Sequence, residues 1–276
     1  MDRIRLIASD MDATLLDEQS QLPADFEETI HALAELGIRF APASGRPLYT
    51  LEAMFPTLRD ELVFIGDNGG AIRWKGQNLF TSEMSPEGWR ALNRLTREQG
   101  DIAVLCGLES AYVERPFAVH DAVLRHFYTK IEYVDRLEDV AAPADKFTIY
   151  LPQHNAQQAY DTVYASQRSI YSVAVAGECW VDIMNPGVHK GAALQTLGQL
   201  WGLPSESMMA FGDTYNDAEM LRTAKYGFLM ENGSVPLRRN VPFLAPSHRE
   251  AGVMQVLHRV LAQNGCVCPE DFVPAH

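Results

Sequence analysis

The first apolar run, Ile4-Arg5-Leu6-Ile7-Ala8, is short and stops at Asp10, which predicts a buried strand with polar chemistry at its carboxyl end. From Pro23 to Leu36, the residues Phe26, Ile30, Leu33 and Leu36 recur at helical spacing, and Gly37 ends the pattern. Ile38 to Ala41 predicts a second strand, closed by Pro42-Ala43-Ser44-Gly45-Arg46-Pro47. A helix from Leu48 to Met54 and a strand from Leu62 to Ile65 follow. Strand and helix alternating at this pitch predict βαβ units and a parallel sheet.

The pattern changes after Gly70. Ala71 to Trp74 and Asn78 to Thr81 flank Lys75-Gly76-Gln77 as a hairpin. A helix (Pro86 to Glu98), two strands (Ile102 to Cys106, Ala111 to Glu114) and a helix (Val119 to Phe127) come next. Strand Lys146 to Leu151, helix Ala156 to Tyr164 and strands Ser169 to Ala176 and Trp180 to Met184 complete the block. This order predicts an α+β module with an antiparallel sheet. The alternation resumes after Pro186-Gly187 with helix Lys190 to Trp201, strand Met208 to Phe211 and helix Asn216 to Thr223. Strand Tyr226 to Met230 and a closing helix, Gly252 to Gln263, end the series. The fold class is therefore α/β, with one core domain formed by 1–82 plus 187–276 and an inserted cap at 83–186.

Composition narrows the partners more than the fold. A hydrophobic fraction of 47% with 21% charged residues suits a globular protein rather than a disordered one. A formal charge of −13 repels phosphate backbones at long range, so neither nucleic acid nor an anionic membrane is expected as a partner. A small phosphorylated molecule in a locally basic pocket stays compatible with that field. No apolar run approaches the roughly 20 residues needed to span a bilayer, and no signal peptide opens the chain, so a cytoplasmic location is expected. Cys106, Cys179, Cys266 and Cys268 lack the paired spacing of a zinc site and are expected as reduced thiols. A monomer or weak homodimer is expected.

The chemistry-bearing residues sit where strands end. Asp10 and Asp12 frame the first strand's exit, where ligands bind in open α/β sheets, and two carboxylates there can divide nucleophilic and acid/base work. Ser44-Gly45-Arg46 offers a hydroxyl, backbone amides and a guanidinium to phosphate oxygens, though it also reads as a helix cap. Lys190 opens a helix, where the dipole disfavours a cation unless an anion is near. Asp213 and Asp217 follow another apolar strand and offer the oxygen ligands that suit magnesium; an acidic turn is the plainer reading.

Together these segments resemble the haloacid dehalogenase-like hydrolases, and within them the Cof-type phosphatases with a large type IIB cap. The segments are Asp10-Met11-Asp12-Ala13-Thr14-Leu15-Leu16, Ala43-Ser44-Gly45-Arg46-Pro47, Asn68-Gly69-Gly70-Ala71, Val188-His189-Lys190-Gly191 and Gly212 to Asp217. The resemblance implies a Rossmann-like core and Mg2+-dependent hydrolysis of small phosphomonoesters, such as sugar phosphates or phosphorylated cofactors. By position it makes Asp10 the nucleophile that carries an aspartyl-phosphate, and Asp12 the acid/base. It assigns Mg2+ to Asp10, the backbone carbonyl of Asp12 and Asp213, with Asp217 in support. Ser44, Lys190, Asn216 and Arg46 would contact phosphate or substrate. A sugar phosphomutase and a non-catalytic phosphometabolite sensor are the alternatives.

Three departures stand out. Ala13 occupies a glycine position and is expected to crowd its loop without a left-handed option. Glu231 is expected to bring a carboxylate near the crevice, and Ser247 to Val253 to lack an asparagine contact. The turn Gly177-Glu178-Cys179-Trp180 and Asp182 re-enter near Lys190 and are candidates for leaving-group contacts, with cap-core packing and a solvated turn as the simpler reading.

Overall fold

The computed structural model describes residues 1–276. The chain starts with β1 (Asp2–Arg3), β2 (Leu6–Asp10), α1 (Phe26–Glu35), β3 (Arg39–Ala43), α2 (Leu48–Ala53) and β4 (Val63–Gly66). The hairpin β5 (Ala71–Trp74) and β6 (Gln77–Thr81) follows. The middle third holds α3 (Pro86–Gln99), β7 (Ile102–Gly107), β8 (Ala111–Glu114), α4 (Asp121–Phe127) and β9 (Ile131–Val134). It continues through β10 (Ala144–Tyr150), α5 (Ala156–Asp161), β11 (Ser172–Val175) and β12 (Trp180–Met184). The chain then runs through α6 (Lys190–Trp201), β13 (Met208–Gly212), α7 (Ala218–Thr223), β14 (Tyr226–Met230) and β15 (Phe243–Ala245). It ends with α8 (Gly252–Ala262), β16 (Cys266–Val267) and β17 (Val273–Pro274).

The larger sheet has the order β17-β15-β14-β13-β2-β3-β4-β5-β6 and is parallel from β15 to β4. Its strands are apolar on both faces because helices cover both. Along β2, Ile7 packs with Phe40, Phe211 and Phe228 under α1 and α8, whereas Leu6 and Ala8 face Leu194 and Leu221 of α6 and α7. Burying each such Phe or Leu contributes about 1.5–3 kcal/mol over leaving it in water. The polar residues at the strand ends thus stand on a stiff, dry base. Because β13, β2, β3 and β4 are parallel neighbours, Gly212, Asp10, Ala43 and Gly66 all end at one edge.

The smaller sheet, β11-β12-β10-β7-β8-β9, belongs to the inserted α+β module. The sequence predicts it antiparallel throughout, but β8 and β9 pair in parallel. β9 lies in a stretch to which the sequence pattern assigns no element, and the helical segment Arg115–Phe127 provides the crossover that a parallel pair needs. The sequence pattern shows no strand at β15 either, since Pro242 and Pro246 bracket three residues and mask a strand that pairs on both sides. Where the chain passes between the sheets its two crossings are tied together, Asn185 Nδ2 donating to the Glu83 carbonyl at 2.8 Å. No helix is long and apolar enough to cross a membrane.

Candidate active site

Asp10 ends β2 with only 8% of its surface exposed. The chain then makes one irregular helical turn, broken at Asp12 (ψ 130) and at Ala13, which is left-handed (φ 57, ψ 14). The expectation that alanine removes this conformation is therefore wrong: Ala13 adopts it, at a steric cost of about 1 kcal/mol. Asn232 helps to hold it there, its Nδ2 donating to the Ala13 carbonyl at 2.8 Å while its Oδ1 accepts from the His248 amide at 3.0 Å. The Ser247–Val253 segment is thus fastened to the Asp12–Ala13 loop through Asn232. Glu231 is exposed and does not line the cleft, contrary to the sequence expectation.

Lys190 resolves the question its position raised. It is fully buried at the first turn of α6, where Nζ donates to Asp10 Oδ1 and, at 2.7 Å, to Asp217 Oδ1. Burial works against its charge, but the carboxylates of Asp10 and Asp217 outweigh it and hold the ammonium above the usual lysine range. Asp217 also accepts the amides of Asp213 (3.0 Å) and Thr214 (3.2 Å) on Oδ2, so both its oxygens are engaged. Gly69 (φ +101) lets the β4 loop approach this helix start, since a Cβ there would lie 2.6 Å from the His189 carbonyl.

Asp10, Asp213 and Asp217 offer carboxylate oxygens within 4.8 Å of one another. Burial first, and then Asp217, push the Asp10 carboxyl up to about 8 despite Lys190, and the same two causes push Asp213 up to about 6. Ionising all three carboxylates against one lysine would leave an excess of negative charge in a largely buried site. An all-oxygen set of this kind, open to solvent on one side, fits a hard divalent cation that keeps part of its water shell.

Ser44 follows β3 and is buried; its Oγ accepts the Arg46 amide at 3.1 Å. Arg46 reaches across the loop to Asp12, Nη2 to Oδ1 at 2.9 Å, and so holds an otherwise exposed carboxylate at the cleft edge. Asn216 donates to Asn68 Oδ1 at 3.4 Å, which joins the β13 and β4 loops. Asp10, Asp12, Ser44, Arg46, Asp213 and Asn216 all line one cleft of about 870 Å³. Lys190 and Asp217 lie behind it, reaching it through Asp10 and the Asp213 loop.

The inserted module forms the opposite wall, whose residues carry no motif in the sequence. Phe127, Lys146, Thr148, Tyr160, Trp180 and Asp182 line it. Of the candidates in this segment, Trp180 and Asp182 are buried and face the cleft, whereas Glu178 is exposed and pairs with His154. A detectable signal was the charged pair Asp145-Lys146 opening an otherwise apolar strand.

The sequence from 7 to 257 matches the family model of the haloacid dehalogenase-like hydrolases. The chain belongs to that family. This hydrolase is 32% identical over 262 residues to the 5-amino-6-(5-phospho-D-ribitylamino)uracil phosphatase YbjI of Escherichia coli, covering 94% of the chain and 96% of the relative. It is 31% identical to the HMP-PP phosphatase of Cronobacter sakazakii, over 87% of the chain and 89% of the relative. Among solved structures, SMU.1108c from Streptococcus mutans superposes with a TM-score of 0.85 at 29% identity, covering 94% of this hydrolase and 99% of that chain.

Proposed function

We propose that this hydrolase is a Mg2+-dependent phosphatase of small phosphomonoesters, working through a phosphoryl group carried on Asp10. The division between a catalytic domain (1–82 plus 187–276) and a cap (83–186) is part of this reading. The observation that carries it is the convergence of Asp10, Ser44 and Asp213 at adjacent strand ends, with Lys190 buried on Asp10. Acid/base, anion-holding and cation-holding groups then surround one nucleophile.

In this reading a carboxylate oxygen of Asp10 forms a bond to phosphorus as the bond to the leaving oxygen breaks. Asp12 gives that oxygen its proton. Asp12 then takes a proton from a water that attacks the same phosphorus, and the Asp10 carboxylate is released with inorganic phosphate. Ser44 holds a phosphoryl oxygen, Lys190 offers its charge to the same group from behind Asp10, and Arg46 keeps Asp12 at the cleft edge between turnovers. Asp10, the backbone carbonyl of Asp12 and Asp213 would hold the Mg2+, with Asp217 in support fixing the Asp213 loop; bound there, the ion would offset charge on the phosphoryl oxygens.

The cap wall bears on the substrate. Phe127, Tyr160 and Trp180 offer ring surface, while Thr148 and Gln157 add hydrogen-bonding groups. A cleft of about 870 Å³ falls in the range for small-molecule sites, and ring walls with few polar groups suit a leaving group with a flat or apolar part. The phosphorylated ribitylaminouracil named for the Escherichia coli relative is therefore the first compound to test. A screen of phosphorylated metabolites with Mg2+ should yield free phosphate from wild type. Binding without turnover favours a sensor, and an isomerised sugar phosphate with little free phosphate favours a mutase.

The ion makes its own prediction. Without it, ionising Asp10 in the folded state is costly, so its contribution to stability is lost as pH rises from the ordinary carboxylate range through about 8. A cation that binds the ionised site opposes that loss. The rise in melting temperature on adding Mg2+ should be small near about pH 6 and grow towards about pH 8. A rise of equal size at both pH values, or none, contradicts this assignment.

A further inference from the structure

We propose that Lys146, which lies outside the reacting centre, is a positioning residue that sets the shape of the Ser44–Arg46 loop from the cap. The proposal rests on the reading of that loop as the phosphate-binding element. β10 is a central strand of the cap sheet, between β12 and β7, and is buried along its whole length. A lysine there carries a large desolvation cost, so it persists only where several acceptors meet it. The pairing of β10 with β7 slips between Ala144 and Lys146. Such an irregularity re-aims side chains, and here two consecutive residues both reach the core: Asp145 lies against Gly70, and Lys146 against Gly45.

The Lys146 ammonium faces three oxygens. It donates to the Gly45 carbonyl at 2.6 Å and lies 3.0 Å from Asp67 Oδ1 and 3.6 Å from Asp182 Oδ2. Burial opposes its charge, but Asp182 and Asp67 outweigh it and hold it above the usual lysine range. Although it borders the cleft, its side chain is 2% exposed and its ammonium donates to the Gly45 carbonyl and pairs with Asp67, so its effect passes through what it holds. Gly45 is the middle residue between Ser44 and Arg46. The same loop is gripped from β4, where the Asp67 amide donates to the Arg46 carbonyl (3.0 Å) and the Asn68 amide to the Ser44 carbonyl (2.9 Å).

Asp67 (φ 50) and Asn68 (φ 54) are both left-handed, a conformation that non-glycine residues keep only when their surroundings hold it. Those surroundings come from the cap. Lys146 pairs with Asp67, and Asp182 Oδ2 accepts from Asn68 Nδ2 at 3.2 Å while Thr148 donates to its Oδ1 at 2.7 Å. The geometry links Lys146, through Gly45 and Asp67, to the hydroxyl and amides offered to phosphate.

The test compares wild type, Lys146→Met, and Lys146→Met with Asp67→Asn. The double variant also removes the charge of the nearer carboxylate and leaves Asp182 bonded to Asn68 and Thr148, which lets the fold survive if the single variant does not. Inorganic phosphate binding with Mg2+ is titrated calorimetrically, and kcat is measured on p-nitrophenyl phosphate and on a phosphosugar. Phosphate affinity is expected to fall about tenfold, the worth of a lost buried hydrogen bond. The kcat should fall by about 10²-fold on both esters alike, because a displaced loop affects every leaving group. A loss confined to the phosphosugar, with phosphate binding intact, would mean direct contact with the leaving group and overturns the proposal. A lowered melting temperature with unchanged affinity and kcat overturns it too. If wild type hydrolyses neither ester, the phosphatase reading fails, and the phosphate titration still decides the role of Lys146.

Discussion

Asp10→Asn is expected to abolish phosphate release, a fall of roughly 10⁴-fold or more, because no other side chain can take over the bond to phosphorus. The substitution is nearly isosteric, and the amide oxygen can still accept from Lys190. The fold should therefore persist, and a urea melt should give a cooperative transition like that of wild type. That separation matters, since a collapsed variant would also be inactive. Retention of more than a few per cent of wild-type turnover in a metal-saturated, folded Asp10→Asn protein would remove Asp10 from the nucleophile role. Weakened Mg2+ binding is expected alongside, because Asp10 is one of the oxygen donors grouped with Asp213.

Lys190→Met should have the largest effect on stability. Lys190 is fully buried and pairs with Asp10 and with the fully buried Asp217. Removing one partner of a buried ion pair leaves uncompensated charge and costs about 3–5 kcal/mol. The deficit should widen as pH rises past about 8, where Asp10 ionises in wild type but would keep its proton without the lysine. Urea unfolding at two pH values reads this directly. A cost below about 1 kcal/mol at neutral pH would mean that Lys190 is not the electrostatic centre of the site. Activity should fall as well, since the same ammonium serves the phosphoryl oxygens in the proposed reaction.

The parallel core was legible because its strands carry apolar residues on both faces and break sharply at polar ones. Asp10, Ser44 and Asp213 stand at or just past those breaks, so their common edge follows once the strands are placed. Lys190 was legible by its poor fit to a helix start, and the structure supplies the anions that this position requires. The cap wall was harder to read. Trp180 and Asp182 look like ordinary sheet residues until the fold turns that face of β12 towards the core. Lys146 depends on an irregularity in strand pairing that leaves no periodic trace. The left-handed Ala13 is not legible in sequence because its conformation is held by distant Asn232, which local propensity does not register.

The proposed phosphoryl group on Asp10 is the central claim, and Asp12→Asn offers the most direct way to see it. An aryl phosphate has a leaving group that departs without a proton, so the first step should proceed while water activation fails. Mixed with p-nitrophenyl phosphate and Mg2+, then quenched in acid, this variant should release about one equivalent of p-nitrophenol per protein in a burst. Its mass should rise by one phosphoryl group, and that group should map to Asp10. Release of p-nitrophenol with no gain in protein mass, or a phosphoryl group on any other side chain, would contradict covalent catalysis by Asp10.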